Sequence, residues 1–184
     1  MLKRILALFF IGAIGGAMCD QIHVRFGVLF YPEPFFLGQA WWVAPLFGIV
    51  ANVIIAGAYL FLPRLAPEAW KPDAGRIITA IIWFAGAYLL SGLLFKYPVY
   101  LAALYFIFWI VRIVKTENRA AVIVFSILLA LAGTIVEGLI SLTGAFSYAF
   151  LAPFPIFHTP VWLPGLYLHG APLALLVARK MKLI

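Results

Sequence analysis

The sequence predicts an all-α membrane protein, a bundle of six transmembrane helices with both termini in the cytoplasm. Three observations predict it. Of the 184 residues, 66% are hydrophobic and 10% charged, with mean hydropathy +1.12. A soluble domain of this size exposes too much surface to hide so much apolar area. The apolar residues form six continuous runs rather than alternating ones, which excludes a β-barrel. In lipid every backbone polar group needs an internal partner, so such runs must be helices. The basic residues, finally, are distributed on one side: eleven against two.

The expected spans are 4–20, 41–62, 77–95, 98–114, 120–143 and 161–179, in a single domain covering 1–184. Each is long enough, or nearly so, to cross ~30 Å of hydrocarbon at ~1.5 Å per residue. The first follows Lys3 and Arg4 and runs into Asp20, Gln21 and His23. It has no small-residue cleavage site, so it reads as a span and not as a removable signal. The second opens at "AWWVAP": Trp41 and Trp42 suit the interface, and Pro45 falls in the first turn, where a missing N–H costs little. The loop "PRLAPEAWKPDAGR" is proline-broken, with Trp70 placed for the interface. The third span carries Trp83, Ala87 and Leu90 on one stripe, and the fourth starts at Pro98. "KTENR" is a tight turn into the fifth span, which holds Glu137, and the sixth contains Pro164, His169 and Pro172. A mid-helix proline bends a helix and opens a gap, here beside His169.

Arg64, Lys71, Arg76, Arg112, Lys115, Arg119, Arg179, Lys180 and Lys182 join Lys3 and Arg4 on one side, against Arg25 and Lys96 on the other. The positive-inside rule makes the first side cytoplasmic. The net charge of +7 is then topological, lies against anionic lipid, and gives no reason to expect nucleic acid. The lone Cys19 excludes an intrachain disulfide and a cysteine-based zinc site. No internal repeat is legible, which argues against a transporter of repeated halves.

An ionisable residue inside lipid costs ~2.5–3.5 kcal/mol on insertion scales, so Glu137, His169, Asp20 and His23 call for partners or purposes. Three accounts stand. Glu137 could hydrogen-bond His169, Gln21 or Tyr148 and hold helices in register. Glu137 and His169 could form the polar end of an apolar pocket that orients a lipid. Asp20, Glu137, His23 and His169 could be the acid–base set of an enzyme acting on an isoprenoid or lipid, such as an isomerase, cyclase or hydratase. Asp-x-x-His is too short a pattern for a metal site, and no phosphate loop or hydrolase elbow is present, so neither metal nor cofactor is expected.

The chain resembles the Insig family of six-helix membrane proteins. The resemblance rests on Gln21-Ile22, "FYPEP", Ala40-Trp41-Trp42-Val43-Ala44-Pro45, "TENR", Gly144 with Tyr148, Trp162-Leu163-Pro164, Gly170-Ala171 and "ARKM", collinear from about Met18 to Met181. It implies a non-enzymatic protein binding a diacylglycerol- or sterol-like membrane lipid; taken with the residue reading above, the expected lining is Gln21, Trp42, Trp83, Glu137 and His169. It also implies a second membrane protein, or further copies of the chain, as partners. His169 stands at a serine-like position of the family and the loops are minimal, which suggests a prokaryotic relative in a bacterial plasma membrane.

Overall fold

The computed structural model describes residues 2–65, 72–151, 153 and 155–181; Trp70, Lys71 and Lys182 lie outside them. Among the described residues there are six helices: α1 (Leu2–Phe26), α2 (Val43–Leu65), α3 (Ala74–Leu94), α4 (Pro98–Val114), α5 (Arg119–Leu142) and α6 (Leu163–Met181). Two-residue strands follow α1 and α5, β1 (Leu29–Phe30) and β2 (Ser147–Tyr148), and pair antiparallel as Leu29 with Tyr148 and Phe30 with Ser147. The bundle therefore has a ribbon end and a terminal end. At the latter the Arg4 guanidinium donates to the Met181 carbonyl at 2.7 Å.

Most helix limits fall within three residues of the expected spans. The clear difference is α1, which continues to Phe26 through Gln21, His23 and Arg25. Tertiary contacts accompany the extension: His23 meets Ser91 at 2.7 Å and Gln21 Nε2 donates to the Leu37 carbonyl at 3.0 Å, while Arg25 is exposed. Among the described residues four helices, α1, α2 over Val43–Leu60, α3 and α5, are long and apolar enough to cross a membrane. The 17 residues of α4 reach only about 25 Å, and α6 is broken in hydropathy by His169, Arg179 and Lys180.

Contrary to the sequence reading, the fold contains an internal repeat. The segment α1–β1–α2 recurs as α5–β2–α6, and 117 positions separate Asp20 from Glu137, Gly27 from Gly144 and Tyr31 from Tyr148. Gly27 and Gly144 both take positive φ, 68° and 78°, in the turn that ends each first helix. In each repeat a tyrosine hydroxyl reaches back eleven residues to the acidic side chain, Tyr31 to Asp20 and Tyr148 to Glu137. A tight turn follows, closed by mutual backbone bonds between Phe36 and Gln39 and between Ile156 and Thr159. Both central residues of each turn have positive φ, Leu37 and Gly38 in one, Phe157 and His158 in the other, as a primed turn requires.

The packing repeats as well. A Cβ on Gly16 would lie 2.4 Å from the Phe47 ring, and one on Gly133 2.5 Å from the Tyr167 ring. Each glycine thus lets an aromatic ring of its own hairpin close onto the helix backbone. The two repeats meet through the ribbon and through α2, which packs against α6 and α5, while α3 packs against both α1 and α6 and α4 against α6. Two apolar clusters result. Leu8, Ile55, Phe125 and Leu175 fill the terminal end, and Leu29, Tyr105, Trp162 and Leu166 fill the ribbon end.

Candidate functional site

The polar residues singled out in the sequence divide between the two ends of the bundle. At the ribbon end, Asp20 Oδ2 accepts from Tyr31 at 2.9 Å and from Gln39 Nε2 at 2.8 Å. Glu137 accepts from the Tyr148 hydroxyl at one oxygen and from Tyr167, at 2.6 Å, at the other. Burial, with the adjacent carboxyl adding to it, pushes the Tyr31 and Tyr148 phenols above their usual range, so both remain donors. Gln21 holds the turn through Leu37, and Trp42 packs edge-on against Tyr31 with ring centres 5.6 Å apart.

His23 and Asp20 do lie on one helical face, but they serve different partners. Ser91 Oγ lies 2.7 Å from His23 Nε2 and 2.8 Å from the Tyr88 carbonyl, and its one hydrogen serves whichever of the two the histidine tautomer leaves as acceptor. A cavity of about 360 Å³ opens beside the ribbon, lined by Tyr31, Tyr148, Ser141 and His158 among others.

His169, two residues on from Tyr167, does not meet Glu137 but bonds to α4. Its Nε2 donates to the Tyr105 carbonyl at 3.2 Å, which leaves Nδ1 to accept from Arg112 Nη1 at 3.0 Å. The same Nη1 donates its second hydrogen to the His169 carbonyl at 3.2 Å. Trp83 stacks on the His169 ring (6.1 Å, 8° between planes) and carries the Arg112 guanidinium over its face at 5.3 Å. These groups stand at the head of a cavity of about 580 Å³ between α3, α4 and α6, whose wall includes Ala80, Trp83, Val111, Arg112, Pro172 and Leu176.

Pro172 shapes that wall. With no N–H it leaves the Leu168 carbonyl without its helical partner, and Ser126 of α5 donates to that oxygen at 3.3 Å. The rim is charged: Arg76 joins Asp73 at 3.2 Å and reaches Glu117 with both terminal nitrogens at 3.1 and 3.2 Å. Of the five residues expected to line one pocket, then, Trp83 and His169 come together, while Gln21, Trp42 and Glu137 gather at the other end. Arg112 was hidden in the sequence because its charge served the topological count equally well. Among the described residues no three His, Cys, Asp or Glu side chains converge as a metal site would need.

Comparison of the whole chain with solved structures finds two matches of the same architecture. A mycobacterial Insig homolog, MvINS from Mycobacterium vanbaalenii, superposes with TM-score 0.75 at 20% identity, over 97% of this chain and 94% of that one. This protein has the fold of an Insig homolog. A cross-linked trimer of a cysteine variant of MvINS gives TM-score 0.76 at 20% identity, over 99% of this chain and 95% of that one. No family model and no curated protein matches the sequence. The Insig-like fold and its apolar helices make the chain an integral membrane protein.

Proposed function

We propose that this protein is a prokaryotic member of the Insig family that binds one membrane lipid in the cavity between α3, α4 and α6. The observation that carries the reading is that cavity: about 580 Å³, within the usual range for ligand sites, with an apolar side of Ala80, Trp83, Val111, Val122, Pro172 and Leu176 facing charged and polar side chains that include Arg76, Arg112, Lys115 and Glu117. The ligand is a diacylglycerol- or sterol-like lipid. Its polar end lies toward Arg112, His169 and Trp83, and its chains follow the apolar faces of α3 and α4 past Ile82 and Val111, which are exposed. The charge asymmetry supports cytoplasmic termini in a bacterial plasma membrane. The MvINS trimer supports self-association as the partner reading.

Native mass spectrometry with lipid extraction tests this. One lipid per chain is expected on the wild type, lost in Trp83→Ala and kept in Glu137→Gln. An empty wild-type protein refutes it.

A second reading, an enzyme acting on an isoprenoid or lipid, is favoured by one observation. Tyr31 and Tyr148 line the ribbon-end cavity, and their hydroxyls touch Asp20 and Glu137. A substrate there would be one phenol away from either carboxyl. Chemical conversion of an isoprenoid extract, abolished by Glu137→Gln, would establish that reading instead.

A further inference from the structure

We propose that the group recognised at the head of the α3–α4–α6 cavity is a phosphate, held by the free edge of the Arg112 guanidinium together with Lys115. This rests on the lipid-site reading and narrows it to a two-chain lipid carrying an anionic headgroup, phosphatidic acid being the simplest. The argument begins with the arginine's donors. A guanidinium has five N–H groups in a fixed fork. Both hydrogens of Arg112 Nη1 are used inside the protein, on His169 Nδ1 and the His169 carbonyl. Among the described residues nothing accepts from Nε or Nη2 and no carboxylate pairs with the charge.

A half-buried cation needs such a partner, since removing charge from water is costly unless it is offset. The stack of Trp83 on His169 fixes the plane of the fork rather than neutralising it.

The other charges of the cavity sharpen the case. Asp73 and Glu117 are both engaged by Arg76, so neither is free to answer Arg112. Lys115, one turn along from Arg112 and exposed at the rim, makes no side-chain bond among the described residues. The lining thus carries three cations against two carboxylates, a surplus of one positive charge, with both carboxylates held on Arg76 and none on Arg112 or Lys115 among the described residues. A planar fork with one free edge, made by Nε and Nη2, matches two oxygens of a phosphate in a bidentate way, and Lys115 adds a point charge to the same lining. A sterol hydroxyl or the single hydroxyl of diacylglycerol would leave that charge unanswered. The cavity stands at the last turn of α4, where the basic side of the protein meets the headgroup layer. The position therefore suits a headgroup rather than a chain.

The test compares three probes on the detergent-purified wild type by thermal shift and native mass spectrometry: dioctanoyl phosphatidic acid, dioctanoylglycerol and inorganic phosphate. Phosphatidic acid is expected to bind about tenfold or more tightly than the neutral lipid, less so as salt is raised. Arg112→Gln should erase that preference, Arg112→Lys should restore part of it, and Lys115→Gln should weaken it. If inorganic phosphate alone protects as well, in an Arg112-dependent way, the phosphate chemistry stands and its source is a soluble anion. If the wild type prefers neither lipid, or keeps its preference in both Arg112 variants, the proposal is overturned while the lipid site survives. Binding of no probe overturns both. The wild-type comparison decides the matter even if the Arg112 variants do not fold.

Discussion

A methyl group added at Gly133 tests the repeat packing directly. Its Cβ would stand 2.5 Å from Tyr167 Cε1, with two more ring atoms at 2.6 Å. The ring cannot swing away freely, because its hydroxyl donates to Glu137 at 2.6 Å. Overpacking of this kind costs about 1–3 kcal/mol, and losing the hydrogen bond costs about 1 kcal/mol more. Replacing glycine by alanine within a helix returns about 1 kcal/mol. Gly133→Ala is therefore expected to destabilise by about 2 kcal/mol. At the equivalent Gly16 the neighbour is Phe47, whose ring has no hydroxyl to hold, so Gly16→Ala should cost about 1 kcal/mol. Reversible denaturant unfolding in mixed micelles measures both. A double-mutant cycle of Gly133→Ala with Tyr167→Phe should fall short of additivity by about 1 kcal/mol, since both changes remove the same bond. A neutral Gly133→Ala, or strict additivity in the cycle, would refute the packing argument.

Ser126→Ala should cost about 1–2 kcal/mol by stripping the Leu168 carbonyl of its donor. In a Pro172→Ala background, where the backbone N–H returns, the same change should cost almost nothing in the same unfolding assay. At the ribbon end, Asp20→Leu orphans the donors of Tyr31 and Gln39 and should cost about 2–4 kcal/mol. Asp20→Asn keeps an oxygen for both and should cost about 1 kcal/mol or less; equal losses would show that these bonds contribute little. Tyr31→Phe should fall between the two, because Gln39 still satisfies the carboxyl.

The six helices are legible in the sequence because continuous apolar runs allow little else in lipid, and their ends follow from Pro98, from "KTENR" and from the Trp41-Trp42 entry. The last turns of α1 are not legible. Gln21, His23 and Arg25 end the hydropathic run, and the extension is accompanied by tertiary partners on α3 and in the turn at Leu37. The repeat left a faint signal, acid, glycine seven residues on and tyrosine four beyond it, in Asp20–Gly27–Tyr31 and Glu137–Gly144–Tyr148. It escapes a fixed-period reading because the spacing grows from 117 to 120 across the second loop, as in Phe47 against Tyr167. Of the candidate site, Trp83 and His169 were foreseeable as intramembrane aromatic and titratable groups. Their meeting with Arg112 depended on the α3–α4–α6 packing, and Glu137 was drawn away by the tyrosines of its own repeat.

The ribbon that joins the two repeats carries one more consequence. Its register, Leu29 with Tyr148 and Phe30 with Ser147, is its own mirror under exchange of the strands. A strand so placed can accept its own counterpart from another copy with the same hydrogen bonds. Hairpin exchange between chains is therefore geometrically open to this fold, and what opposes it is brevity: two residues a side, and a tether through α3 and α4 that keeps the rightful mate close at hand.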